Sequence, residues 1–139
     1  QYVSKDGFVF FRQGDMGRFD EDGFLELLDR KKDMIISGGF NIYANDLEIE
    51  LLKHPVVGEV AVIGVPSEQW GESPYALIVL KPGATADLAE ILSWANARLG
   101  KLQRLAGGEL RNELPRSSIG KILKRELRAP FWQKAGRVI

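Results

Sequence analysis

The chain has 139 residues, with 19 basic and 19 acidic side chains, one histidine and no cysteine. That length suits one domain with a real core and is short for two. A net charge of zero removes any global pull toward nucleic acid or an anionic membrane, and the missing cysteine excludes disulfides, thiolate nucleophiles and cysteine metal sites and fits a reducing, cytoplasmic setting.

At the N-terminus, Gln1 is not an initiator methionine, so the chain is expected to begin inside a longer protein. It lacks the charged-then-apolar pattern of a signal peptide, and no apolar run approaches the length of a membrane span. Phe8 to Phe11 and Phe24 to Leu28 are two apolar runs separated by Asp20-Glu21-Asp22-Gly23, a turn signature. The pair predicts a β-hairpin, which is marginal alone, so residues 1–31 are expected to be the edge of a preceding domain. Asn45 or Asp46 should cap a helix running to His54 and stopped by Pro55, with Leu47 and Leu51 on its buried face. Segments 59–65 and 75–80, rich in Val, Ile and Ala, predict two strands. Thr85 or Asp87 should cap a helix to Leu99, with Gly100 as its C-cap. A third strand is expected at 109–114, then a helix from Lys121 to Arg128 and a tail from Pro130 carrying Phe131-Trp132. Residues 33–129 therefore read as an α+β domain, a small sheet covered by helices.

The chemistry concentrates in Pro115-Arg116-Ser117-Ser118-Ile119-Gly120-Lys121. Glycine lets backbone approach a ligand closely, and the lysine after it is a mobile positive charge on a long stem. That pairing suits an anion present at one step and gone at the next. The plain alternative is a solvent loop with a lysine at a helix start.

Phe11-Arg12-Gln13-Gly14-Asp15 ahead of Gly17, Asp29 to Asp33 leading into Met34-Ile35-Ile36-Ser37-Gly38-Gly39-Phe40-Asn41, and the lysine loop occur in this order. Together they resemble the C-terminal part of the adenylate-forming enzymes, which include acyl-CoA synthetases, nonribosomal peptide adenylation domains and luciferases. The resemblance spans about Gly7 to Leu127, and the wording from Ser37 to Tyr43 is most similar to the fatty-acid and aryl acyl-CoA ligase branch. It implies a C-terminal lid domain over 33–139, hinged at Lys32 on an N-terminal adenylation domain.

The implied reaction has two steps. A carboxylic acid attacks the α-phosphate of ATP to give acyl-adenylate and pyrophosphate; coenzyme A then displaces AMP. By resemblance, Lys121 is the catalytic lysine facing carboxylate and phosphate oxygens, Asp15 accepts from the ribose hydroxyls, and Arg30 lies near ribose and phosphate. Gly38 or Gly39 lines the tunnel for the thiol arm. The resemblance also implies Mg²⁺, with ligands outside this chain, and Lys121 as a target for a lysine acetyltransferase. Ser117 stands where the family usually has Thr, Ala44 where it has Pro, and Asp46 where it has Glu. The chain alone is expected to be inactive, because no phosphate-gripping glycine loop and no acyl pocket are present.

Two other readings remain open at this point. The acceptor is alternatively a carrier-protein phosphopantetheine. Alternatively the chain is a non-enzymatic interaction module, displaying Trp70 and the Phe131-Trp132 tail. A nucleic-acid patch of Lys121, Lys124, Arg125 and Arg128 is disfavoured in a neutral chain. His54 is expected to end a helix rather than act as a base, and no metal site is expected.

Overall fold

The computed structural model describes residues 33–136 in full, and the backbone of the strands within residues 2–30. In that N-terminal stretch β1 (Tyr2–Lys5), β2 (Phe8–Phe11), β3 (Asp15–Phe19) and β4 (Leu25–Arg30) form an antiparallel sheet in sequential order. The expected hairpin is thereby corrected. β3 lies between the two apolar runs, pairing Phe8 with Arg18 on one side and Leu25 with Phe19 on the other. Asp15-Met16-Gly17 has little strand propensity of its own, and pairing along both edges overrides it. The turn at 20–23 lies outside the described residues.

A second sheet carries the rest. β5 (Ile35–Ser37) and β6 (Phe40–Ile42) form a hairpin through Gly38-Gly39, whose φ angles of 56° and 85° are those a tight two-residue turn requires. A tight turn between strands is the plain alternative that the sequence offers at Gly38-Gly39, but the strands themselves are not bounded there, because three residues are too short to show alternation. α1 (Ala44–Leu52) starts two or three residues earlier than expected, after Tyr43 and without a side-chain cap; Leu47 and Leu51 are buried as the pattern required.

β7 (Val57–Ser67) and β8 (Gly71–Leu80) pair antiparallel, from Val57 opposite Leu80 to Ser67 opposite Gly71. α2 (Leu88–Arg98) is capped by Asp87, which accepts from the Ala89 N–H at 3.2 Å. Gly100 has a φ of −66°, so it is not the left-handed cap expected; it opens a short 3-10 turn at Lys101–Gln103. β9 (Gly107–Leu110) then lies parallel to β8. It begins two residues before the expected strand because glycine is needed there: a Cβ on Gly108 would stand 2.7 Å from the Ala76 carbonyl oxygen.

α3 (Lys124–Lys134) starts later than expected and runs through Pro130, where the sequence suggested a tail. Its extension is held by packing. Phe131 meets Tyr75 with ring centroids 4.9 Å apart, and the Trp132 indole N–H donates to the Gly64 carbonyl at 2.9 Å.

Period-two alternation sorts β7 and β8 onto two faces. Val60, Val62, Ala76 and Ile78 meet α1 and α2 on one face; Ala61, Ile63 and Leu77 meet Leu127 of α3 on the other. The expected α+β class, a small sheet covered by helices, is the architecture of the second sheet.

Candidate functional site

The lysine loop is a small braced turn. The Ser117 N–H donates to the Lys121 carbonyl at 2.8 Å, the Gly120 N–H to the Ser117 carbonyl at 2.9 Å, and the Lys121 N–H to Ser117 Oγ at 3.3 Å. Ser117 therefore supplies the hydroxyl on which the loop closes. Gly120 has a φ of 87°, which an L side chain rarely adopts. Arg116 fixes the loop from outside: one guanidinium nitrogen donates to the Gly120 carbonyl at 2.8 Å and the other pairs with Glu59 on β7. Sequence reasoning quoted Arg116 without giving it this part; its place just before a Gly-Lys turn was the available signal.

The loop holds its backbone and leaves its lysine exposed. The Lys121 ammonium has no hydrogen bond or ion pair to any of the described residues, and the nearby Ile119 is 77% exposed. A cleft of about 470 Å³ runs beside it, lined among others by Asp33, Ser117, Lys121, Lys124 and Arg128. Two of its cations are already matched: Lys124 to Glu48 at 2.9 Å and Arg128 to Asp33 at 2.8 Å. The four-residue basic patch thus carries less unbalanced charge than its sequence suggests.

The glycine turn opens onto a different cleft, of about 480 Å³, which includes Gly38, Phe40, Trp70, Lys101, Leu102 and Arg104 and shares no lining residue with the first. The Gly38 N–H donates to the Trp70 carbonyl at 2.9 Å. A Cβ on Gly38 would lie 2.8 Å from the Trp70 ring, whereas one on Gly39 would meet no atom within 4 Å. This cleft offers an exposed indole and two cations. Lys101 and Arg104 were not read as site residues, and Trp70 was read only as part of an exposed patch with Phe131-Trp132; its position in the turn before Gly71 was the signal for its place here.

Burial pushes the Glu72 carboxyl above its ordinary range, while the Ile36 N–H and the nearby Arg128 charge oppose that rise. Gly64 leaves room for this carboxylate, since a Cβ there would collide with it. His54 is buried; its Nδ1 accepts from the Val56 N–H at 3.3 Å and its ring meets Trp94 edge-on. That is a structural role at the end of α1.

Asp15 and Arg30 are direct backbone partners across β3 and β4, which places the two expected nucleotide contacts opposite each other at one end of that sheet. Their side chains, and Lys32 entirely, lie outside the described residues. Among the described residues there is no group of His, Cys, Asp and Glu able to hold a metal ion, and no helix is long and apolar enough to cross a membrane.

Comparison with known proteins bears on this geometry. The family described as the AMP-binding enzyme C-terminal domain matches residues 46–121. A long-chain-fatty-acid–CoA ligase of Bacillus subtilis is 46% identical over 125 residues, covering 90% of this chain and 22% of that protein. A 2-succinylbenzoate–CoA ligase of Geobacillus kaustophilus is 47% identical over 119 residues, covering 86% and 24% respectively. The crystal structure of ATP-bound MatB from Rhodopseudomonas palustris superposes with a TM-score of 0.81 at 38% identity, over 91% of this chain and 25% of that one. The chain thus spans about a quarter of the length of these relatives.

Proposed function

Because the chain belongs to the family of AMP-binding enzyme C-terminal domains, we propose that it is the lid of an AMP-forming acyl-CoA ligase. Residues 1–31 then belong to the edge of the adenylation domain, Lys32 is the pivot and 33–139 are the lid. The observation that carries this reading is Lys121: an exposed cation, with no partner among the described residues, on a loop whose backbone is braced by Ser117 and Arg116.

In the first half-reaction a carboxylate oxygen attacks the α-phosphate of ATP and pyrophosphate leaves. Negative oxygens crowd together, and a positive charge aimed at them lowers the barrier. The braced loop means little ordering is needed as the lysine arrives. Asp15 and Arg30 are proposed to hold the nucleotide's ribose and phosphate. In the second half-reaction the thiol attacks the acyl carbonyl and AMP departs. The lid then presents the Gly38-Gly39 turn, where backbone without side chains leaves room for the pantetheine arm. The separation of the two clefts supports alternation between two docked states.

Trp70, Lys101 and Arg104 beside the glycine turn favour free coenzyme A over a carrier protein as acceptor, since an indole face and two cations suit a phosphorylated nucleotide. The Mg²⁺ that the resemblance implies has no ligand set among the described residues, and no step is assigned to it.

The test separates the half-reactions in an enzyme carrying this chain. Lys121→Ala is expected to lower the adenylation rate by about a hundred-fold or more and to spare thioester formation from supplied acyl-adenylate. Rapid-quench measurement of each step decides; equal loss in both would refute the assignment.

A further inference from the structure

We propose that Arg128 is a positioning residue for both half-reactions, acting through Asp33 to clamp the residue after the pivot onto the helix that follows the lysine loop. The proposal rests on the lid reading above. Arg128 Nη1 donates to Asp33 Oδ1 at 2.8 Å, and the two side chains are only 13% and 12% exposed. A pair withdrawn from water to that degree is costly to break by removing one partner, because the other is left charged and buried. Asp33 directly follows Lys32, the proposed pivot, so its fixation decides where the moving body begins.

The same face of α3 makes two further ties at one-turn spacing. Lys124 pairs with Glu48 of α1 at 2.9 Å, and Glu48 also accepts the Val62 N–H of β7 at 2.9 Å. One turn beyond Arg128, Trp132 donates to the Gly64 carbonyl, again on β7. Positions 124, 128 and 132 therefore bind α3 to α1, to the post-pivot residue and to the sheet. Because α3 begins three residues after Lys121, a rotation produced at residue 32 reaches the lysine through a short, braced path. Asp33 and Lys121 also line one cleft. With the clamp lost, the segment between pivot and β5 yields, and the lid docks without fixed aim in either state.

The experiment uses the full enzyme carrying this chain, with Arg128→Gln, Arg128→Lys, Asp33→Asn and the double variant Asp33→Asn/Arg128→Gln. Single-turnover rate constants for adenylation and for thioester formation are measured, with the KM for ATP and the folded fraction. Arg128→Gln is expected to lower both rate constants by about ten- to a hundred-fold, with KM for ATP little changed. Asp33→Asn should do the same, the double variant should be no worse than either single one, and Arg128→Lys should recover most of the rate. Unchanged rates per folded molecule, additive losses, or a loss confined to one half-reaction overturn the proposal. Lys121→Ala distinguishes the two levels. If it leaves adenylation intact, the lid reading fails; if it abolishes adenylation while Arg128→Gln runs at the parent rate, only the clamp fails.

Discussion

Gly38 and Gly39 are adjacent, both left-handed, and differ in what a side chain would meet. At Gly38 the obstacle is internal, the Trp70 ring; at Gly39 the space is open. The first glycine is thus required by the chain's own packing, and on the proposed reading the second is the one open to the thiol arm. Gly39→Leu is therefore expected to slow thioester formation several-fold more than adenylation while leaving thermal stability nearly unchanged, apart from the backbone cost of a positive φ. Gly38→Leu should lower the melting temperature as well. Differential scanning calorimetry beside half-reaction rates separates the two, and equal melting losses would contradict the assignment. The pair Gly-Gly is legible in the sequence as a turn, but which glycine faces outward depends on Trp70, thirty-odd positions away.

At the scale of elements, β9 shows how closely the layers approach. Gly108 lets this strand sit against β8 and beneath Leu92 of α2; a Cβ would come within 2.7 Å of the Ala76 oxygen and 3.2 Å of the Leu92 side chain. Gly108→Ala is expected to destabilise the chain by about 1–3 kcal/mol, read from the urea midpoint at unchanged slope; a neutral result would mean the layers relax freely. Periodicity revealed α1, α2, β7 and β8, because each buries a regular stripe. It failed at the β5–β6 hairpin, too short to alternate, and at the end of α3, where Pro130 argues for a stop and the packing of Phe131 and Trp132 wins. The Asp33–Arg128 clamp was hidden for another reason. Asp33 sits in a run of charges that looks solvated, and its partner is 95 residues away. The motif residues around Lys121 were legible, whereas the bracing by Arg116 and Glu59 requires the fold.

For the molecule as a whole, the described clefts are open surfaces. A nucleotide needs enclosure from several sides to bind tightly. The chain is therefore expected to show no sub-micromolar ATP binding alone; calorimetric titration with ATP checks this, and a tight isotherm would mean that these residues form a complete nucleotide pocket. Charge balance, the missing cysteine and the α+β class all followed from composition and pattern, but the relation between the two clefts did not, since it depends on how α3 crosses the sheet. That crossing sets a lever arm. The lysine loop is anchored at Glu59, and Trp132 of the helix whose Arg128 pairs with Asp33 is anchored at Gly64, both on β7. Along extended backbone the two points stand about 17 Å apart. An angular error of about ten degrees at one end becomes a displacement of about 3 Å at the other, where about 1 Å already costs dearly in rate. On the proposed reading, the stiffness of this strand bears on how accurately the ammonium arrives.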